Sequence, residues 1–291
     1  MDSITVKAYA KINLGLDVIR KREDGYHEVC MIMQSLALHD TLKIRKTSGN
    51  GIFLQTNRRG LPVDMNNLVY KAAALFLETI SAREYVHIML DKKIPIAAGL
   101  AGGSSDAAAT LKGLNELYDT GMTQAELMKL GVKLGADVPY CILLGTALSE
   151  GIGEILTPLP ALRGCQILLV KPDISVSTRY VYENLRLNGN VSHPDIAGMR
   201  AALAKDDLVS LAGLMDNILQ TVTIKDYPVI HEIKSRMTEL GAMVSLMSGS
   251  GPTVFGIYRN PVSARKAFHY FRVNPGLYRQ VFLTYPYQPT E

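Results

Sequence analysis

The residues most able to do chemistry lie in one stretch, Pro95-Ile96-Ala97-Ala98-Gly99-Leu100-Ala101-Gly102-Gly103-Ser104-Ser105-Asp106. The β-branched and apolar run Tyr85–Leu90 precedes it and the alanine-rich run Ala107–Leu114 follows it, so the order is strand, glycine-rich loop, helix. Gly99, Gly102 and Gly103 permit close approach of a ligand to the main chain. Ser104, Ser105 and Asp106 are good N-cap types, and the helix is expected to start among them. Its N-terminus would offer unpaired N–H groups and the positive end of a dipole, which suits a phosphate. The stretch is neither G-x-x-x-x-G-K-[ST] nor G-x-G-x-x-G. A plain turn feeding an ordinary helix is the alternative, and the run of small residues with two adjacent hydroxyls argues against it.

Three further places could serve that chemistry. Even positions from Ile4 to Val18 are apolar, and Lys11 and Asn13 fall on the opposite face of the expected strand. By spacing alone they are the wet face of an edge strand. Asp137 sits in Gly135-Ala136-Asp137-Val138-Pro139, an apolar setting whose burial would raise its pKa; by spacing alone it caps or ends a helix. Ser248-Gly249-Ser250-Gly251 joins two strand-like runs and by itself is a tight connection.

Together these residues carry a resemblance. Pro95–Asp106 is similar to the phosphate-binding motif P-x-x-x-G-L-x-x-S-S of the GHMP kinases. Gly-Leu-Ala-Gly-Gly-Ser-Ser-Asp-Ala-Ala, Ala10–Leu14 and Asp24-Gly25-Tyr26-His27 resemble the branch acting on 4-diphosphocytidyl-2-C-methyl-D-erythritol. That branch usually has glycine at position 101; alanine there adds a methyl and is expected to avoid positive φ.

The resemblance implies ATP as phosphoryl donor, held by residues Pro95 to Ser105, with the 2-hydroxyl of the cytidine-diphosphate-linked methylerythritol as acceptor in non-mevalonate isoprenoid synthesis. Gly-Ala-Asp-Val-Pro resembles the segment with the family's catalytic aspartate. This makes Asp137 the expected base and brings Lys11 to it, where an ammonium would stabilise the developing alkoxide. Ser248, Gly249, Ser250 and Gly251 match the family's C-terminal glycine loop. Asn13, Tyr26, His27 and Tyr182 are candidates for the cytidine end, with Tyr180 a rival to Tyr182 as the stacking ring. Mg²⁺ must accompany ATP to neutralise its phosphates; Ser105 or Asp137 could touch it, or nucleotide and water carry it, with no dedicated protein ligand. The implied fold is α+β in two domains, ribosomal-protein-S5-like then ferredoxin-like, with the active site in the cleft between them.

The remaining sequence fits this. Of 291 residues, 47% are apolar and 20% charged, a globular balance. The net charge of +4 includes no basic stripe for nucleic acid. Cys30, Cys141 and Cys165 form no disulfide or zinc pattern. With neither a secretory signal nor an 18-residue apolar run, a cytoplasmic protein without membrane partner is expected, a monomer or weak homodimer. Pro158, Pro160 and Gly164 suggest a boundary dividing residues 1–160 from 161–291. Strands are expected at 29–38, 41–46 and 52–56, with Gly49-Asn50-Gly51 as a hairpin turn. Thr123-Gln124-Ala125-Glu126 reads as a capping box opening a helix that Gly135 and Pro139 stop.

Two readings compete. Another GHMP kinase, for homoserine, mevalonate or a sugar, is disfavoured by Asp24-Gly25-Tyr26-His27 and by Asp137. A non-catalytic nucleotide- or RNA-contacting module is disfavoured by Lys11 with Asp137 and by the lack of a basic stripe.

Overall fold

The computed structural model describes residues 2–49, 51–82, 85–187, 191–274 and 278–289. In chain order come β1 (Ser3–Lys21), β2 (His27–Thr47), β3 (Gly51–Thr56), α1 (Leu68–Thr79), β4 (Tyr85–Asp91), α2 (Gly102–Leu117), α3 (Gln124–Val132), α4 (Val138–Leu143), β5 (Thr146–Gly151) and β6 (Ile155–Pro158). There follow β7 (Gln166–Pro172), α5 (Thr178–Asn184), α6 (Ile196–Ala204), α7 (Leu208–Leu214), α8 (Gln220–Asp226), α9 (Val229–Glu239), β8 (Val244–Met247), β9 (Val254–Tyr258), α10 (Pro261–Arg272) and β10 (Tyr278–Thr284). The class is α+β, as expected.

The chain forms two compact units that interleave in sequence. One is Met1–Ala10, Leu38–Ile96 and Ala101–Leu144; the other is Lys11–Ala37, Ala97–Leu100 and Gly145–Glu291. The long strands β1 and β2 contribute to both, so these units follow the strands rather than a single cut at 160.

In the first unit β2 pairs antiparallel with β4, Thr41 opposite Asp91 to Thr47 opposite Tyr85. β3 pairs parallel with β4 on its other side. β3 is therefore not the hairpin partner of β2; Asn50 of the expected turn lies outside the described residues. Leu42, Ile44, Val86, Ile88, Leu90 and Leu54 point inward by the two-residue period and are buried. Gly113 lets α2 approach this face, since a Cβ there would stand 2.8 Å from Ile44 Cδ1. Thr123 and Glu126 form the expected capping box on α3. Pro139 does not stop a helix. It lies in the first turn of α4, where its missing N–H costs no hydrogen bond.

The same unit holds a buried charge cluster that ties down the glycine-rich loop. Lys92 Nζ pairs with Asp40 and, at 2.8 Å, with Asp106 Oδ2. Asp40 Oδ1 also accepts the N–H groups of Lys93 and Ile94, the latter at 2.8 Å. Asp106 Oδ1 is buried with no hydrogen-bond partner. Burial pushes the Asp106 carboxyl well above the ordinary carboxylate range against the pull of Lys92, and Asp40 adds to the rise. Lys92 and Asp106 stand just outside the two ends of Pro95–Ser105, so their pairing closes the loop at its base.

In the second unit residues Val29 to Gln34 of β2 pair antiparallel with β5, and β5 with β6. A separate sheet runs β10-β7-β9-β8, antiparallel throughout. Numbered within that sheet the strand order is 4-1-3-2, with α9 between its first two strands and α10 between its last two. This is the ferredoxin-like arrangement expected, with α5–α8 inserted after β7.

Two outcomes test these arrangements. Lys92→Met strands two buried carboxylates and should cost about 3–5 kcal/mol in denaturant unfolding. Asp106→Asn should cost clearly less than Asp40→Asn, because Asp40 also holds two backbone N–H groups. Equal losses at 40 and 106 would contradict the unequal bonding. The second concerns His87, whose Nδ1 accepts from Arg45 Nε at 3.0 Å while Nε2 meets Gln55 Oε1 at 2.9 Å. Burial, then the Arg45 charge, lowers its pKa below 6.5. Below 6.5 the unfolded chain takes up a proton that the folded chain refuses. Stability therefore falls with pH from there down through the folded value. His87→Gln should flatten part of that decline in melting temperature, and an unchanged slope would exclude His87 as a source.

Candidate active site

The loop's backbone alternates. Ala97, Gly99 and Ala101 have φ of 50°, 73° and 54°, one left-handed residue in every two. Alternation of left- and right-handed residues can turn successive N–H groups toward one side, a backbone suited to an anion. Ala101 corrects the expectation that alanine there avoids positive φ: it is the left-handed N-cap of α2, which begins at Gly102 rather than among Ser104, Ser105 and Asp106. Each left-handed alanine costs about 1–2 kcal/mol relative to the right-handed form.

Within the loop Pro95, Ala98 and Leu100 are buried, Ile96, Ala97 and Gly103 are exposed, and Gly99, Ala101, Gly102 and Ser104 are half-buried. Ser105 is buried and its hydroxyl donates to Tyr9 O. A Cβ on Gly102 would stand 2.8 Å from Lys92 Nζ, so this glycine makes room for the buried ammonium.

The second unit gathers several expected residues. Lys11 and Asn13 are 5% and 1% exposed, which overturns their placement on a wet strand face; every residue from Lys11 to Val18 is buried. Lys11 Nζ donates to Asn13 Oδ1 at 2.8 Å, and Lys11 N–H donates to Leu100 O at 3.2 Å. Asn13 Nδ2 lies 3.4 Å from Met31 Sδ. The strand carrying Lys11 is thus bonded to loop residue Leu100.

The C-terminal glycine turn meets the same loop. Ser248 Oγ donates to Gly99 O at 2.9 Å. A Cβ on Gly99 would fall 2.1 Å from Ser248 O, and one on Gly249 would fall 3.4 Å from Gly99 O and 3.6 Å from Asn13 Oδ1. Gly99 is therefore required for contact as well as for φ. Ser250 Oγ lies 2.8 Å from Thr178 Oγ1, and the turn closes with Gly251 N–H donating to Ser248 O at 2.9 Å.

A further pair lies at the Asp24 turn. Arg22 and Tyr26 close it, with Arg22 N–H donating to Tyr26 O at 2.8 Å, and Gly25 has φ of 86°. Tyr26 is exposed. His27 and Tyr182 rings lie 5.0 Å apart, tilted by 42°. Burial, then Lys21, holds the His27 pKa below its ordinary value. Tyr180 instead hydrogen-bonds Asp226, which raises its pKa.

Asp137 is half-buried at the N-cap position of α4, and its side chain makes no capping hydrogen bond. Among the described residues no group of three or more His, Cys, Asp or Glu could hold a metal ion. Asp40 and one oxygen of Asp106 are held by Lys92, and the Ser105 hydroxyl by Tyr9. Sequence reasoning missed Lys92, Asp40 and Asn217, which support the loops from behind. Their one sequence signal is polarity inside a run that proves to be buried.

Known proteins are similar to this chain over nearly its whole length. Residues 67–145 match the GHMP kinases N terminal domain and residues 199–274 the GHMP kinases C terminal domain, on either side of the expected boundary. The 4-diphosphocytidyl-2-C-methyl-D-erythritol kinase of Lachnoclostridium phytofermentans is 55% identical over 98% of this chain and 97% of its own. That of Acetivibrio thermocellus is 52% identical over 92% and 94%. The crystal structure of a 4-(cytidine 5'-diphospho)-2C-methyl-D-erythritol kinase superposes with a TM-score of 0.82 at 34% identity, covering 98% of this chain and 100% of that one. A homoserine kinase from Cytophaga hutchinsonii shares the fold, with a TM-score of 0.81 at 21% identity over 98% and 95%. With both family domains matched in order and whole-length relatives above half identity, the chain belongs to the GHMP kinase family.

Proposed function

We propose that this chain transfers the γ-phosphoryl group of ATP to the 2-hydroxyl of 4-diphosphocytidyl-2-C-methyl-D-erythritol, a step of non-mevalonate isoprenoid precursor synthesis in the cytoplasm. The observation that carries this reading is the 55% identity over 98% of the chain to a kinase of that name. Phosphoryl transfer asks mainly for positioning and charge stabilisation, and the chain offers both.

In this reading the triphosphate lies on residues Pro95 to Ser105, facing the N–H groups that the alternating backbone and the first turn of α2 present. Residues Ser248 to Gly251 support the phosphate loop through Gly99. Mg²⁺ arrives with the nucleotide and supplies charge neutralisation. Asp137 accepts the proton of the acceptor hydroxyl, that oxygen bonds to the γ-phosphorus, and the bond to the β–γ bridging oxygen breaks to release ADP. The Lys11 ammonium, oriented by Asn13, stabilises the oxygen as it becomes negative. We assign the cytidine end to Tyr26, His27 and Tyr182. The His27–Tyr182 ring contact supports Tyr182 over Tyr180, whose hydroxyl is bonded to Asp226. Asn13 stays in the substrate set through its contact with Lys11.

An ADP-release assay over a panel of acceptors tests the assignment. Turnover should be confined to the cytidine-diphosphate-linked polyol, and preference for homoserine or mevalonate would reject it. Gly103→Asp puts a negative charge on the exposed face of the loop at a place where a Cβ meets only Leu68 Cδ1, at 3.4 Å. It should weaken ATP binding by on the order of tenfold or more through like-charge repulsion, with melting temperature held, and unchanged affinity by calorimetry would move the triphosphate elsewhere. Asp137→Asn should spare substrate binding and lower kcat by about 100- to 10,000-fold. Lys11→Met should act on kcat too, and the double variant should lose much less than the product of the single losses. Near-normal turnover by Asp137→Asn would leave Asp137 a helix-end residue.

A further inference from the structure

The Ser248–Gly251 turn is held from behind by one buried amide. Asn217 is 1% exposed, and its Nδ2 donates to Met247 O and to Gly249 O, each at 2.8 Å. Its Oδ1 accepts the Leu219 N–H at 3.0 Å. The backbone around it is bonded to β1: Leu16 N–H donates to Asp216 O and Ile218 N–H donates to Leu16 O, both at 3.0 Å. One residue thus joins the strand carrying Lys11 and Asn13 to the turn that bears on Gly99.

The double donation has a directional effect. Met247 is the last residue of β8, and Gly249 is left-handed at φ 56°. A glycine has the widest backbone choice of any residue, so without an anchor the 249–250 peptide plane could rotate. Holding Gly249 O toward Asn217 fixes that plane. Because the peptide is trans, the Ser250 N–H points the opposite way. The other anchors, Thr178 on Ser250 Oγ and Thr223 on Ser250 O at 3.4 Å, act one residue further on and do not fix the Gly249 carbonyl.

We propose that Asn217 is a positioning residue for phosphoryl transfer. Its two N–H donors fix the orientation of the Gly249 peptide and, through Ser248 and Gly99, the shape of the phosphate loop beside Lys11. This rests on the kinase reading above.

The test is Asn217→Asp in the full-length protein. Aspartate keeps the acceptor for Leu219 N–H and nearly the same volume, but turns an anion toward two carbonyl oxygens. At pH 8 kcat should fall about 10- to 100-fold, the scale of a displacement near 1 Å at a reacting site. The KM of the cytidine-linked acceptor should stay within about twofold. Burial beside two carbonyls raises a carboxyl pKa, so on lowering pH toward 6 the side chain takes up a proton and can donate again to one carbonyl. The ratio of variant to wild-type kcat should therefore climb as pH falls. Unchanged kcat, or a pH-independent loss shared equally by kcat and melting temperature, would overturn the proposal. If Asn217→Asp does not fold, Asn217→Ser gives the second measurement, with a selective loss of kcat expected. Failure of both to fold makes Asn217 a residue of the fold alone and also overturns it. Wild-type turnover in the same assay separates these outcomes from failure of the kinase reading.

Discussion

Lys92 carries an ammonium where water does not reach, between the carboxylates of Asp40 and Asp106, and the glycine-rich loop is strung between the two chain segments that this contact joins. The loop needs such a fastening. It contains two left-handed alanines, Ala97 and Ala101, which together cost roughly 2–4 kcal/mol. Removing one partner of a buried pair costs about 3–5 kcal/mol. That cost is the penalty of a stranded buried charge, so the three side chains, and with them the two ends of the strained loop, are kept together. Strain retained in this way is common at ligand-binding loops, where the surrounding structure over-determines the backbone.

The fastening also explains why glycine is required where it is. Gly102 leaves room for the ammonium, and Gly99 leaves room for the Ser248 carbonyl. Ala101 faces neither constraint: its penalty is conformational alone. This is the physical reason an alanine can stand at a left-handed position while its glycine neighbours are confined by contact. The alternation at residues 97, 99 and 101 is thus already in place in the structure.

Much of the fold was legible in local patterns. The two-residue period marked β1 and the capping box opened α3 where expected, whereas the ferredoxin-like topology of the later sheet came from the family resemblance and not from local pattern. The misses share one cause, which is contact between residues far apart in sequence. Alternation in β1 indicated one wet face, yet from Lys11 to Val18 both faces are buried because partners arrive from distant segments. Gly49-Asn50-Gly51 has hairpin composition, but β4 takes the place beside β2. Pro139 breaks α3 only in the sense that it opens α4. In the candidate site, the loops and Asp137 were visible as motifs. Lys92 with its two carboxylates, and Asn217 with its two carbonyls, have no local signature, since a lone lysine or asparagine acquires meaning only from what buries it.

The interleaving of the two compact units bears on how the chain is made. Residues Lys11 to Ala37 are made well before several of their partners: in their own unit Gln34 pairs with Thr146, Leu16 bonds to Asp216 and Ile218, and Ala37 N–H donates to Tyr285 O. The last of these partners is made about 250 residues later. At about 5–20 residues per second, roughly 12–50 s pass on the ribosome before that strand can be fully clothed. Until residues 216–218 are made, the apolar residues Ile12, Leu14, Leu16 and Val18, all buried in the finished protein, have β2 beside them but lack the segment that bonds Leu16. Slowing translation late in the message would lengthen the interval in which this apolar strand lacks its later partners.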